Sequence, residues 1–315
     1  VGAMTTGSTT NPDGIPNIEG IMHNPPNNVG LEAAFIDGVV NLSRTNQPSL
    51  RYTESTPKEG GFALVAEGGT KPQIDMKFET RNAKVSKAAA HKVITDEALQ
   101  DIPQLQSICT DYLRKKHDLF RQDRILFGDG TGENPFGSTH LTGTPAADDV
   151  SRVFAAGGMA NKINTPNFMD VVNACITDIY TTRNYTDQIP YTPNLVLVNP
   201  IDFYTELVSG KDADLRNLFP TASLFNVVNI GGITIRPYIN IPAGTIHVAD
   251  MRQYNVANYI DYNVAIGFIN DQFITNQMTI RAESRFHTWV ESLKRGANGA
   301  FIYDDIATIK SAIAI

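Results

Sequence analysis

Apolar and polar positions alternate in one stretch of the chain in a way that predicts a hairpin. From residue 74 to residue 79, apolar side chains alternate with charged ones, which is the two-residue period of a half-buried strand. The preceding stretch, 60–72, places four glycines and Pro72 around a short apolar run, a composition typical of turns. We therefore predict a glycine-rimmed hairpin over about 50–82. A two-stranded hairpin is only marginally stable in water, so we expect another surface to cover its apolar face.

Helical spacing appears in several later segments. Residues 83–99 are typical of a strand that runs into a helical turn, and an apolar stripe predicts a long helix over 102–127. Asp101 is its expected N-cap and Gly128 its end. A second helix is expected after Thr165 as N-cap, with one apolar face formed by Phe168, Val171, Val172, Cys175, Ile176 and Ile179. Near the N-terminus, 30–43 favours a short helix.

Short apolar runs predict strands in the second half of the chain. They occur at 193–200, twice within 230–250, at 263–271 and as a strand pair over 277–305. Helices and strands are therefore mixed without regular βαβ alternation. The pattern indicates the α+β class and not a doubly wound α/β sheet.

Composition limits the function classes. The chain has 315 residues and a net charge of −7, which suits one large domain or two modest ones and disfavours sequence-specific binding of nucleic acid. No stretch reaches the ~20 apolar residues that span a bilayer, and the first ten residues lack the basic and apolar regions of a signal peptide. Cys109 and Cys175 fall in helical patterns and are interpreted as buried thiols of a reducing compartment.

Candidate chemistry is sparse, and we predict no catalytic, cofactor-binding or metal-binding residues and no enzyme activity. The glycines at 128–132 lack the third glycine of a dinucleotide fingerprint, and Asp129 with Glu133 indicates a turn in preference to a calcium loop. No histidine has the spacing of a zinc ligand. The basic cluster 114–116 is interpreted as a solvated helix face, with weak contact to nucleic acid as the alternative. Trp289 is interpreted as a core or interface aromatic.

The order of these parts resembles the tailed-bacteriophage major capsid protein family, whose fold is shared with encapsulin shells. The resemblance covers nearly all of the chain, and its most telling stretches are "AEGGTKP" (66–72), "ITDEALQDIPQL" (94–105), "DRILFGDGTGENPFG" (123–137), "VLVNPIDFYTEL" (196–207) and "VADMRQY" (248–254). It implies a division into an N-terminal arm (1–48), an extended loop (49–82), a peripheral domain (83–139) with its spine helix at 102–127, an axial domain (140–275) and return strands of the peripheral domain with the C-terminus (276–315).

The resemblance also implies a function. A member of this family would assemble with copies of itself, as hexamers and pentamers, into an icosahedral shell around a double-stranded DNA genome. Scaffold, portal and decoration proteins would be further partners, with weak non-specific contact to packaged DNA and no membrane. The expected location is the virion, assembled in the host cytoplasm. Some relatives are cross-linked through a lysine and an asparagine, but Lys58 and Lys71 have no specific asparagine partner in this sequence, and no cross-link is predicted.

Under this interpretation the hairpin packs against the next copy of the chain, and that neighbouring copy covers its apolar face. The residues expected at this inter-subunit contact are Lys58, Gly60, Gly61, Phe62, Glu67, Gly68, Gly69, Lys71, Ile74, Met76, Phe78 and Trp289. Three alternatives remain open from the residues alone. The first is an encapsulin-type nanocompartment on the same fold, the second is an α+β hydrolase or carbohydrate-binding enzyme, and the third is a phage tail or decoration protein.

Overall fold

Mixed helices and strands form the described part of the chain, which comprises residues 31, 33–101, 105–142, 149–183, 188–210 and 228–315 of a computed structural model. The strands are β1 (Asn41–Arg44), β2 (Arg51–Glu59), β3 (Asp75–Asn82), β4 (Lys84–Thr95), β5 (Leu195–Val198), β6 (Val228–Ile230), β7 (Ile233–Pro237), β8 (Thr245–Ala249), β9 (Asn255–Gly267), β10 (Gln277–Trp289) and β11 (Phe301–Asp305). The helices are α1 (Asp96–Asp101), α2 (Leu105–Phe127), α3 (Phe168–Thr181), α4 (Pro200–Asp202, continued by a π-helical turn over Phe203–Val208) and α5 (Ile306–Ile313). The α+β prediction is confirmed.

The first sheet carries the long helix. Its strand order within the described residues is β1-β9-β10-β4, and α2 packs against β4 and β10. Leu105 and Cys109 of α2 are buried against Ile94 and Ile280 of these strands. Long antiparallel strands with one covered face alternate between buried and exposed positions, which β10 shows over part of its length.

The second sheet holds the main core. Its order is β11-β8-β5-β7-β6 in the described chain, with α3 and α5 packed beside β8 and β11. All four residues of the central strand β5 are buried, as a strand covered on both faces requires. The predicted face of α3 is confirmed, because Phe168, Val171, Val172, Cys175 and Ile179 are buried and Ile176, the sixth residue, is partly buried against the same core.

The N-cap of α3 is not Thr165, as the sequence pattern predicted, but Asn167. The Asn167 side chain accepts a hydrogen bond from the Asp170 backbone N–H (3.0 Å), and the Asp170 carboxylate accepts one from the Asn167 backbone N–H (2.9 Å). This reciprocal pair satisfies two helix-end donors. Thr165 instead has a left-handed backbone (φ 53°), so it belongs to the preceding turn.

Three further expectations need correction. The short helix expected over 30–43 is a single 3-10 turn, Ile36–Gly38, followed by β1. The strand pair expected over 277–305 is two strands of different sheets, because β10 pairs with β4 and β9 whereas β11 pairs with β8. The long helix is described from Leu105, and its predicted cap, Asp101, is the last residue of α1; residues 102–104, like 1–30, lie outside the described residues.

The turn that follows α2 is held by its own side chains. Asp129 accepts hydrogen bonds from the Thr131 backbone N–H and hydroxyl and from the Asn134 amide. These donors lower the pKa of Asp129 to about 2. Gly130 has φ +73°, and a Cβ there would lie 2.0 Å from the Phe136 ring. The predicted turn is confirmed, and its carboxylate is occupied by the loop itself.

Both cysteines are buried and free, as predicted. The segment boundary expected at 275/276 falls between β9 and β10, two neighbouring strands of the first sheet. The division of the chain into arm, loop, peripheral and axial segments stays a prediction.

Candidate assembly surface

The predicted hairpin is present and projects as a separate two-stranded ribbon. Strands β2 and β3 pair antiparallel, from Arg51 opposite Asn82 to Glu59 opposite Asp75, with one irregularity between Pro57 and Glu59. In the described chain these two strands form a sheet by themselves. The nine residues of β2 extend about 30 Å at ~3.4 Å per residue, and the connection over 60–74 extends the ribbon further.

The ribbon exposes its apolar side chains. Phe62 and Leu64 are fully exposed (99% and 106% of their reference areas) and Phe78 is 66% exposed. Ile74 and Met76, the other members of the alternating face, are also exposed. The half-burial that alternation predicts is therefore missing within the described residues of one chain. Exposed apolar side chains grouped in this way are typical of contact sites.

Glycines shape the tip of the ribbon. Gly60 has φ +97°, and a Cβ there would lie 2.0 Å from the Gln73 carbonyl oxygen, so no other residue fits without a shift. Gly68 (φ +78°) lies in a tight turn in which the Gly69 N–H donates to the Ala66 carbonyl at 2.9 Å. Gly61, Glu67 and Lys71 are exposed at the same end. The side chain of Lys58 lies outside the described part.

A buried carboxylate fixes the ribbon to the body. Glu54 of β2 is only 4% exposed and accepts hydrogen bonds from the backbone N–H (2.8 Å) and the hydroxyl of Ser292. Arg81 of β3 places its Nε 3.0 Å from Glu54 Oε2, the oxygen that also accepts the Ser292 hydroxyl. Glu54 and Ser292 are 238 residues apart in the chain, so these contacts set the direction in which the hairpin leaves the body.

An aromatic pair supports the same junction. Trp289 stacks on Tyr52 of β2, with ring centroids 5.6 Å apart. Burial and the neighbouring Glu54 carboxylate raise the pKa of Tyr52. Trp289 therefore lies at the base of the hairpin, away from the exposed tip where the other predicted contact residues gather.

Sequence reasoning missed both this anchor and a second exposed apolar cluster. The anchor residues Tyr52, Glu54, Arg81 and Ser292 carry no local signal, because their partners are distant in the chain. The second cluster lies at the β9–β10 connection, where Phe268 and Phe273 form an edge-to-face pair (5.8 Å). Its exposed members are Ile266, Phe268, Ile269, Phe273 and Ile274. The apolar run at this strand connection is the sequence signal from which the second cluster could have been predicted.

Within the described residues, no group of three or more His, Cys, Asp or Glu side chains is arranged to hold a metal ion. Across the same ranges, none of the helices combines the length and apolar character of a membrane span.

Comparison with known proteins agrees with this architecture. The model of the phage capsid family matches residues 30–290. The major capsid protein of Enterobacteria phage HK97 is 25% identical over 259 residues, which are 81% of this chain and 62% of the HK97 protein. The match therefore spans less than two thirds of that relative's length.

Solved structures show the same fold. A structure from Mycobacterium phage Bobi aligns with a TM-score of 0.65 at 13% identity, over 91% of this chain and 94% of that one. A structure described as the capsid of an empty GTA particle gives the same TM-score and coverage at 14% identity. The fold is that of phage capsid subunits, and the chain belongs to the phage capsid family.

Proposed function

We propose that this chain is a major capsid protein that assembles with copies of itself into the icosahedral shell of a double-stranded DNA phage. The observation that carries the proposal is the hairpin, which is anchored at its base yet exposes Phe62, Leu64 and Phe78, side chains that the described part of the chain leaves uncovered. A neighbouring copy is the surface that supplies the missing cover. Family membership supports this reading over the nanocompartment and hydrolase alternatives.

The physical requirements of a shell fit such a ribbon. Heterologous contacts between identical subunits close into rings when the rotation fits, and hexamers and pentamers are two such rings. A single contact of about −4 kcal/mol corresponds to millimolar affinity, so a misplaced subunit can leave while several contacts together hold a correct one. A hairpin fixed at Glu54 with a glycine-rich tip combines a defined direction with local adaptability.

The remaining parts of the proposal follow from the same role. The chain is expected in the virion after assembly in the host cytoplasm, without enzyme activity. Scaffold, portal and decoration proteins are expected partners, and contact with packaged DNA is expected to be weak because the chain carries a net charge of −7. Assignment of residues 1–48 as an arm and of 49–82 as the loop on the neighbour belongs to this proposal.

Deletion of residues 58–72 tests the role of the hairpin. The shortened strands keep Pro57 and Met76 as a facing pair, so the body should fold with an unchanged melting temperature while shells fail to form in electron micrographs. A matched control replaces 62–66 by Gly-Ser residues and keeps the length of the ribbon. It should fold equally well and assemble poorly, because the apolar tip is lost. Normal shells from the deletion variant would show that the hairpin is not the contact.

A further inference from the structure

A polar groove lies beside α2, away from the hairpin. Side chains from α2, β9 and β10 line it together with two from the N-terminal segment, and its volume is about 350 Å³. The lining residues that carry charge or hydrogen-bonding groups are Asp37, Arg44, Arg114, His117, Asp118, Arg121, Asn258, Asp261, Tyr262, Ser284 and Arg285. The groove is thus a cluster of ionisable groups outside the assembly surface.

Its charge is opposite in sign to that of the whole chain. Four guanidinium groups face three carboxylates. Arg121 pairs with Asp37 and Arg44 with Asp261, each at 3.2 Å. In the ranges that the structure describes, no carboxylate lies within ion-pair distance of Arg114 or Arg285, and both are exposed. The groove therefore has two cations at its rim that are free to meet an anion.

The third carboxylate is already engaged. His117 Nδ1 lies 3.0 Å from Asp118 Oδ1, and His117 Nε2 lies 2.6 Å from Ser284 Oγ. Ser284 lies where the register between β10 and β9 shifts, and a bulge of this kind turns a side chain out of the regular pleat. Asp118 therefore already has a partner, His117, on this side of the groove.

Two donors of the groove are unsatisfied. Arg121 is 8% exposed, and its terminal nitrogens bond Asp37 and Asn258. Its Nε and the Tyr262 hydroxyl are buried without a hydrogen-bond partner in the described part of the chain. A buried donor left without an acceptor is destabilising, so an acceptor oxygen brought to either group by a ligand would be stabilising.

We propose that this groove binds an oxyanion of the phosphate class, between the Arg114 and Arg285 guanidinium groups and above Arg121 Nε and the Tyr262 hydroxyl. A phosphate group offers several acceptor oxygens and full negative charge, which guanidinium groups bind by directed hydrogen bonds. The volume admits a phosphate and its ester substituent but not a folded partner. Free phosphate and the phosphodiester of a nucleic acid share this chemistry.

The test uses the full-length unassembled chain. Inorganic phosphate is titrated by isothermal calorimetry, and a fluorescent DNA duplex is titrated by anisotropy at low salt. The double variant Arg114→Gln, Arg285→Gln removes the two unpaired cations, and Tyr262→Phe removes only the hydroxyl. We expect the double variant to weaken binding about tenfold or more, as loss of charged hydrogen bonds predicts, and Tyr262→Phe to weaken it several-fold.

The control is Arg51→Gln, Lys115→Gln, which removes the same charge from exposed residues that do not line the groove; its binding should stay within twofold of the parent chain. Binding of phosphate alone identifies a free anion, and binding of the duplex as well identifies nucleic-acid phosphate; both support the site. Equal losses in control and double variant, or no binding of either probe, overturn it. If neither probe binds and the double variant blocks assembly, the groove is a protein contact. This inference is independent of the hairpin, so the 58–72 deletion does not decide it.

Discussion

Removal of the Glu54 carboxylate should detach the hairpin without unfolding the body. In the variant Glu54→Ala the Ser292 backbone N–H and hydroxyl lose their acceptor, and Arg81 loses an ion-pair partner. Hydrogen bonds to a charged group contribute about 1.5–3 kcal/mol each. The side chain of Arg81 is 39% exposed and can be solvated once the carboxylate is gone, so the loss of its ion pair adds little to the free-energy cost. The two Ser292 contacts at the lower end of the range total about 3 kcal/mol, which corresponds to roughly 100-fold more frequent opening of the hairpin base.

The chain provides its own probe for this change. Trp289 is the single tryptophan and stacks on Tyr52 at the hairpin base, so opening should shift its fluorescence emission to longer wavelength. Far-UV circular dichroism should change little, because the two packed sheets do not depend on Glu54. Assembly, followed by light scattering, should slow, since a freely moving ribbon must be ordered again at each contact.

Two variants calibrate the effect. Glu54→Gln keeps an acceptor but not the charge and should lie between the parent chain and Glu54→Ala. Glu67→Ala removes an exposed carboxylate at the tip and should leave the Trp289 emission unchanged. An emission and an assembly rate in Glu54→Ala equal to those of Glu67→Ala, or a lower stability of the whole body, would exclude this role of Glu54.

Three further outcomes are expected. Phe62→Ser with Leu64→Ser should leave the melting temperature unchanged, because both side chains are fully exposed, but should weaken assembly by about 2 kcal/mol for each side chain that the neighbour buries; unaltered light scattering would contradict this. Burial lowers the pKa of His247 to about 4, below its ordinary 6.5, so the folded chain favours the neutral ring. The contribution of His247 to stability should be complete above about pH 6.5 and should fall by about 3 kcal/mol as the pH drops from there through 4. Urea titrations should therefore show that the difference in stability between the parent chain and His247→Gln changes across that window. A difference that stays constant with pH would count against this prediction. Gly130→Ala should destabilise the turn after α2 by more than 1 kcal/mol, because φ is +73° and the new Cβ would meet the Phe136 ring; thermal unfolding measures the loss.

The local sequence pattern was sufficient to predict those elements whose interacting residues are close together in the sequence. The face of α3, the buried strand β5 and the end of α2 at Gly128 follow from periodicity and from turn residues. The hairpin follows in the same way, since β2 and β3 are joined by a continuous glycine-rich connection. Even here detail depends on geometry: Asn167 caps α3 because it, and not Thr165, has the extended backbone that a cap requires.

The sequence alone determined the α+β class, the exposed apolar hairpin and the absence of recognisable catalytic motifs, because each rests on spacing within a short window. Only the tertiary structure decided what holds these parts in place. Glu54 and Ser292 are 238 residues apart, and β11 pairs with β8 and not with β10. The polar groove beside α2 is lined by side chains from four separate segments. Such contacts join residues that are distant in the sequence. They are selected by the packing of the whole core and cannot be predicted from local hydrophobic periodicity.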